Sequence, residues 1–324
     1  MRYKILFITL LAFTAISCED WLDVNDDPNR TTQAPPEQVF TGALVDYSTN
    51  RTIDLGPPVS TAGQMWSGGG SFGAGVFTRP EQYIFSIFTT GNTWRAYYRN
   101  SIKNLKLVIS DAADRNNTVA QCKIFEALNF YSATVLWGDV PFEEALDVNF
   151  ETAEINNLNP KFDDQQVVLQ GVVDLLDEAL GLIDDAPNQI SGGADLIYNG
   201  DMDGWRKFAK SLKLRTLMTM AASDESVHQQ IADLIGEGDL INDPSENAEI
   251  PFFAEAGNRN PFWETLNAFA GALNFFYFAS DAMVKTIKKY NDPRLDYYFV
   301  QYPGGGSPDT VIGALPGVNN LGYT

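Results

Sequence analysis

Four stretches of the chain repeat an apolar residue at every third or fourth position, the spacing that lays one buried stripe along an α-helix. The first, Trp94 to about Ala113, carries Tyr98, Ile102, Leu105, Ile109 and Ala112. The second, Val119 to Trp137, carries Ile124, Leu128, Tyr131 and Val135. Only residues 114–118 separate them, so the pattern predicts a helical hairpin. A second hairpin is predicted from Asp163 to Ile183, with Val168, Val172, Leu175, Leu176, Ala179 and Ile183, and from Gly204 to Ala222, with Trp205, Phe208, Leu212, Leu214, Leu217, Met218 and Ala221. Residues 138–160, between the hairpins, are too irregular for a helix. Two successive hairpins of similar length predict an all-α fold of tetratricopeptide-like helical hairpins, although the strict consensus of about 34 residues is missing.

Shorter elements flank this array. Pro35-Pro36-Glu37 opens a helix through Val39, Phe40, Ala43 and Leu44, with proline suited to a first turn. Further helices are predicted at Ser226–Leu234 and Ser280–Tyr290, the latter stopped by Asn291-Asp292-Pro293-Arg294. From Gly56 to Gly91 the helical period vanishes into Gly, Ser, Pro and aromatic residues, among them Trp66, Phe72, Phe77, Tyr83, Phe85 and Phe88. A second aromatic, loop-like region runs from Phe252 through Pro261-Phe262-Trp263 to Phe278. Long aromatic- and Gly-rich loops in a compact domain are where function is expected. The Gly-rich residues 303–324 have no period, so the chain is expected to stop in a loop, short of a full C-terminal portion.

The first residues follow another logic. Arg2 and Lys4 precede the apolar run Ile5 to Ile16, and Ala15-Ile16-Ser17 leads into Cys18 and a polar continuation. The run is shorter than the roughly 20 residues that span a bilayer. It has the form of a signal peptide, and a cysteine directly after it has the form of a lipoprotein acylation site. The expected organisation is a signal over residues 1–17, an acylated tether over 18–35 rich in Asp, Asn and Pro, and one helical domain over 36–324. Cys18 then sets the anchor to a membrane surface, and the remaining cysteine, Cys122, lies among apolar neighbours and reads as a buried thiol.

Charge narrows the partners. The formal net charge is −20, with hydrophobic residues at 44%. Nucleic acid is excluded as a partner, because phosphate binding needs clustered Lys and Arg. Gly68-Gly69-Gly70-Ser71-Phe72-Gly73 matches a dinucleotide fingerprint only in spelling, since no strand leads into it and no helix follows directly. Asp23-Val24-Asn25-Asp26-Asp27 starts like a calcium loop, then offers Pro28 where glycine is needed and Ala34 where the bidentate glutamate belongs. No metal or cofactor is expected. His228, the single histidine, sits in a polar stretch and reads as a surface residue. Acidic pairs such as Glu143-Glu144 and Asp184-Asp185 fit solvated helix ends better than the pocketed carboxyl pair a glycosidase requires.

Aromatic residues beside planar polar ones are the positive signal. Sugar rings stack their C–H faces on indole and phenol rings, while amide, guanidinium and carboxylate groups bind the hydroxyls. Trp66 with Gln64, and Trp263 with Asn258, Arg259 and Asn260, have this pairing, and Phe72 and Tyr277 are further candidates. Trp94, Trp137 and Trp205 stand at helical core positions instead.

Ala127-Leu128-Asn129-Phe130-Tyr131 through Leu136-Trp137-Gly138-Asp139-Val140-Pro141-Phe142 resembles the most recognisable segment of the SusD/RagB family. Cys18 with Trp21-Leu22-Asp23-Val24-Asn25, the helix from Trp94 to Leu105, Trp205 to Arg215, and Asn291-Asp292-Pro293-Arg294-Leu295 are similar to further family segments, in the same order. The resemblance implies a non-catalytic outer-membrane lipoprotein facing the cell exterior. It also implies that the protein captures a glycan or oligosaccharide and passes it to a SusC-type TonB-dependent transporter, over which it acts as a lid. A lipid-anchored glycoside hydrolase and a peptide-binding scaffold of a transporter are the alternatives.

Overall fold

The computed structural model describes residues 34–68, 79–150, 152, 154–268, 277–298 and 313–314. The signal segment, Cys18, nearly all of the tether and Phe72 lie outside the described residues. Pro36–Thr324 makes one compact unit, distinct from Met1–Pro35. Helix α1 is Pro36–Asn50; a π-helical stretch, Arg51–Leu55, leads from it into α2, Gly56–Ala62. Helix α3, Ile87–Arg95, likewise passes through a π-helical stretch, Ala96–Ile102, into α4, Lys103–Asp111. Then come α5, Asn116–Trp137, α6, Gln165–Leu182, α7, Met202–Met220, and α8, His228–Glu237. The last described helices are α9, Pro261–Ala268, α10, Asp281–Lys289, and α11, Leu295–Tyr298.

The predicted all-α fold is therefore observed, and the four long periodic stretches become α3–α4, α5, α6 and α7. Each packs on the next, with the most extensive contact between α5 and α6. Helix α5 lies at the centre. Ile124, Phe125 and Phe130 are fully buried, but so are Asn117, Gln121 and Asn129. These polar side chains are bonded: Gln121 Nε2 donates to the Ile190 carbonyl at 2.9 Å, and its Oε1 accepts from Ile190 N–H at 2.8 Å. The core joins Phe40 and Leu44 of α1, Tyr97 and Ile102 of the second π stretch, Val172 and Leu176 of α6, and Trp205 and Leu212 of α7. Burial of each large apolar side chain contributes roughly 1.5–3 kcal/mol.

Two buried carboxylates fix the connections. Asp195 accepts from Trp205 Nε1 (2.8 Å), Gly200 N–H (2.8 Å), Ile197 N–H (3.0 Å), Tyr198 N–H (3.2 Å) and Gln121 Nε2 (3.2 Å), shaping the loop into α7. Asp163 accepts from Phe142 N–H at 3.0 Å and Glu143 N–H at 2.9 Å, and pairs with Lys161 at 3.1 Å. That clasp holds the turn after α5, where Gly138 takes φ +77° and caps the helix. Residues 138–160 hold a small antiparallel pair, β2 (Val148–Asn149) on β3 (Glu154–Ile155), and no helix among the described residues.

The predicted loop from Gly56 to Gly91 needs correction at both ends. Helix α2 starts at Gly56 because the π stretch before it ends one helical segment and begins another, so Pro57 and Pro58 fall in a first turn, where a missing N–H costs nothing. Helix α3 starts at Ile87 rather than Trp94, with Ser86 and Thr89 forming a capping box ahead of the apolar stripe. Among the described residues no helix is long and apolar enough to cross a membrane. Cys122 is fully buried, and burial pushes its thiol up, while His228 is exposed at the start of α8.

Candidate functional site

The two aromatic regions meet at a strand pair. Strand β1, Trp66–Gly68, follows α2; strand β4, Tyr277–Ala279, precedes α10, and they pair antiparallel with Trp66 opposite Ala279 and Gly68 opposite Tyr277. Alternation along a strand puts Tyr277 on the same face as Ala279, so Trp66 and Tyr277 become diagonal neighbours within aromatic reach. Their ring centroids are 5.4 Å apart. Phe262 of α9 stacks on Trp66 at 5.5 Å and 18°, and lies 6.2 Å from Tyr277. The three rings are half-buried. Burial pushes the Tyr277 phenol up to about 12.

Neighbouring contacts hold this trio in place. Gln64 takes a left-handed conformation, φ 55°, in the turn that delivers the chain to β1, where its N–H donates to the Thr61 carbonyl at 3.0 Å. Gly68 N–H donates to Glu81, a buried carboxylate in the turn Pro80–Gln82. Ser280 follows β4 and caps α10 through Oγ, which accepts from Ala282 N–H at 3.2 Å. Ala314 accepts from Asp281 N–H and donates to the Ala279 carbonyl, both at 2.8 Å.

A second group lies on α9. Pro261-Phe262-Trp263, expected in a loop, is helical because Asn260 Oδ1 accepts from Phe262 N–H (3.0 Å) and Trp263 N–H (3.2 Å), and Pro261 fits the first turn. Asn260 therefore serves the backbone. Asn258 closes the turn before it, its carbonyl accepting from Phe253 N–H at 2.7 Å. Trp263 is 49% exposed, which leaves its indole open to solvent. The Arg259 guanidinium lies 5.1 Å from that ring, and Arg259 Nε donates to the Ala254 carbonyl at 2.7 Å.

The geometry thus joins Trp66 and Tyr277, sets Trp263 and Arg259 beside each other, and gives Asn260 a capping role. Gln64 is half-exposed two residues from Trp66. Phe262 was missed by the sequence reading, although its position between two expected ligand residues and an Asn-Pro helix start would have singled it out. Trp94 and Trp137 are half-buried, with Trp94 stacked on Tyr98 at 4.6 Å, and Trp205 is fully buried, as expected for core residues.

The sequence model of a SusD-like family, described as starch-binding and associating with the outer membrane, matches residues 28–324. The chain belongs to this family. SusD-like proteins of this kind are nutrient binders rather than enzymes and are associated with the outer membrane. No curated protein matches the chain. Among solved structures, it is similar to a SusD/RagB family protein from Bacteroides thetaiotaomicron, with 21% identity, TM-score 0.66, and coverage of 81% of this chain and 53% of that one. A chitin-binding protein has 21% identity and TM-score 0.68, with coverage of 88% and 61%. A SusD homolog from Bacteroides fragilis has 22% identity and TM-score 0.62, with coverage of 81% and 52%. At this identity the likeness establishes the SusD-like fold. The chain spans about half to three fifths of the length of these structures.

Proposed function

We propose that this SusD-like chain captures a glycan on the surface that carries Trp263 and Arg259, on the helix whose Phe262 joins the trio with Trp66 and Tyr277. The observation that carries the reading is the exposed Trp263 indole, 49% open to solvent beside a guanidinium donor and one residue along α9 from Phe262 of the aromatic trio. An indole face binds the C–H side of a sugar ring, and Arg259 supplies charge-assisted bonds to its hydroxyls. Gln64, beside Trp66, adds an amide to the same strand end. The family description as starch-binding and the chitin-binding neighbour support a polysaccharide as the ligand class. Phe72 belongs to the same proposal as a further aromatic contact.

In the same reading Cys18 carries the acyl anchor, residues 18–35 act as a tether at the outer face of the outer membrane, and the glycan passes to a SusC-type TonB-dependent transporter beneath the domain. Electrophoresis of the purified protein through gels containing starch or chitin oligosaccharides tests the binding step; retardation is expected on at least one. Equal mobility on both gels and on a glycan-free gel overturns the glycan reading. The Cys18→Ala variant is expected in the soluble fraction with binding intact, and its retention on membranes would refute the anchor.

A further inference from the structure

A second site lies on the other side of the first π-helical stretch. A polar cleft of about 390 Å³ opens between α1 with Arg51–Leu55 and α3 with Ala96–Ile102. Asp46, Asn50 and Asp54 line one wall and Asn92, Arg95 and Arg99 the other. π-Helical segments are rare, and they are frequently found at functional sites. Here two of them flank one cleft.

The charges in this cleft are not spent on each other. Asp46, Asp54, Arg95 and Arg99 form no ion pair among the described residues, although other surface arginines and lysines do, such as Arg115 with Glu37 at 2.9 Å. Among the described residues Asp54 accepts only amide donors, from Asn50 at 2.8 Å and Asn92 at 3.4 Å. Arg95 donates to Asn92, an amide again. Asp46 and Arg99 have no hydrogen bond among the described residues, and burial alone pushes the Asp46 carboxyl up. Asn50, 6% exposed, leaves its Oδ1 without a donor. Asp46 and Asp54 are half-buried, while Arg95 and Arg99 stand exposed at the mouth of the cleft. Carboxylates partly removed from water and left without a cation are costly, and a ligand ammonium returns part of that cost while the open arginines remain free to take a carboxylate.

The ligand must offer both signs. An anion would satisfy the arginines and oppose the aspartates, and a cation the reverse. A neutral sugar is the weaker fit, because no aromatic ring lines the cleft to take its C–H face. We propose that the cleft binds a small zwitterion of the amino acid or short-peptide class, its ammonium toward Asp46 and Asp54 and its carboxylate toward Arg95 and Arg99. The site is separate from the glycan surface and stands without it.

Glycine, glycylglycine and triglycine form a ruler for the test, since each residue lengthens the charge separation by about 3.5 Å. Calorimetric titration of the full chain should show binding that peaks at one length and is lost with N-acetylglycinamide, which carries neither charge. Asp46→Asn and Arg99→Gln should each weaken the best-bound member at least about tenfold. Both side chains lie at the surface of the cleft, and unchanged circular dichroism with unchanged oligosaccharide retardation shows that the variants are folded. Three results overturn the proposal: no member binding more tightly than N-acetylglycinamide, affinity unaltered in both variants, or maltotriose binding that is lost in them. Failure of the wild-type chain on glycan gels would overturn the reading of the aromatic surface and leave this one standing.

Discussion

Alanine at Trp66 and at Trp263 should have opposite signatures, because one indole supports the site and the other presents it. Trp66→Ala removes contacts to Phe262 at 5.5 Å and Tyr277 at 5.4 Å. Each aromatic pair is worth about 0.5–1.5 kcal/mol, so the two together contribute about 1–3 kcal/mol. The lost burial of a half-buried indole adds about 1 kcal/mol more. Trp66→Ala is therefore expected to destabilise by about 2–4 kcal/mol and to weaken glycan binding through disorder of β1 and α9. Trp263→Ala removes a ring that is 49% exposed and one surface cation–π contact of about 0.5–1 kcal/mol, so stability should fall by less than about 1 kcal/mol. Its effect on affinity should be the larger, on the order of 2 kcal/mol or about 30-fold, as for a tryptophan at the centre of an interface. Urea denaturation followed by circular dichroism gives the first quantity, and calorimetry with the best-retained oligosaccharide gives the second. The reasoning is refuted if Trp263→Ala destabilises as much as Trp66→Ala, or if it leaves affinity unchanged.

Three further outcomes test the scaffold. Asp195→Asn turns one acceptor oxygen into a donor facing two or three buried N–H groups, each costing about 1–3 kcal/mol when orphaned, so a loss of about 2–5 kcal/mol is expected in urea denaturation. Gly171→Ala would put a methyl 2.1 Å from Phe142 Cε1, in a ring that packs edge-on against Phe130 at 4.8 Å, and about 1–3 kcal/mol of overpacking should appear as a lowered melting temperature. For Asp163, burial pushes the carboxyl up, but the Glu143 and Phe142 N–H groups and Lys161 outweigh it and hold the group below its ordinary value. The folded state then binds fewer protons than the unfolded one, so this contribution is present above about pH 4 and fades as pH falls through the folded value. Asp163→Asn should show a shallower acid limb in a plot of stability against pH, and an unchanged limb would remove the clasp from the account.

Legibility followed the strength of local pattern. Helices α6 and α7 were visible because their apolar residues recur without interruption. In α5 the stripe was misread in part: Val135 is 50% exposed, while Gln121 and Asn129, polar letters that look solvated, are fully buried. Gln121 bonds Ile190 and Asp195, far along the chain, and such a distant partner leaves no mark in the sequence, while Asn129 Nδ2 turns back to the Phe125 carbonyl of its own helix. Helix α2 was hidden by Gly56-Pro57-Pro58, since nothing local announces a π stretch that resets the helix start. Helix α9 is announced by Asn260-Pro261, a cap followed by a first-turn proline, but the dense aromatic residues around it obscure the helical period. At the candidate site, the aromatic and polar residues are visible in the sequence, but how the fold groups them is not. That grouping depends on the β1–β4 pairing, which joins segments from either side of the helical array.

This pairing also orders events in time. Helices α4 to α7 touch their sequence neighbours, and such local contacts form early, whereas strands far apart in the chain must wait for the segment between them to be made and collapsed. The last aromatic of the trio, Tyr277, arrives only after that array has left the ribosome. On the proposed reading, a nascent chain can hold a folded helical body and still have no assembled glycan surface. Capture of ligand would then begin only once the polypeptide has been made at least as far as β4, so the order of synthesis itself delays binding.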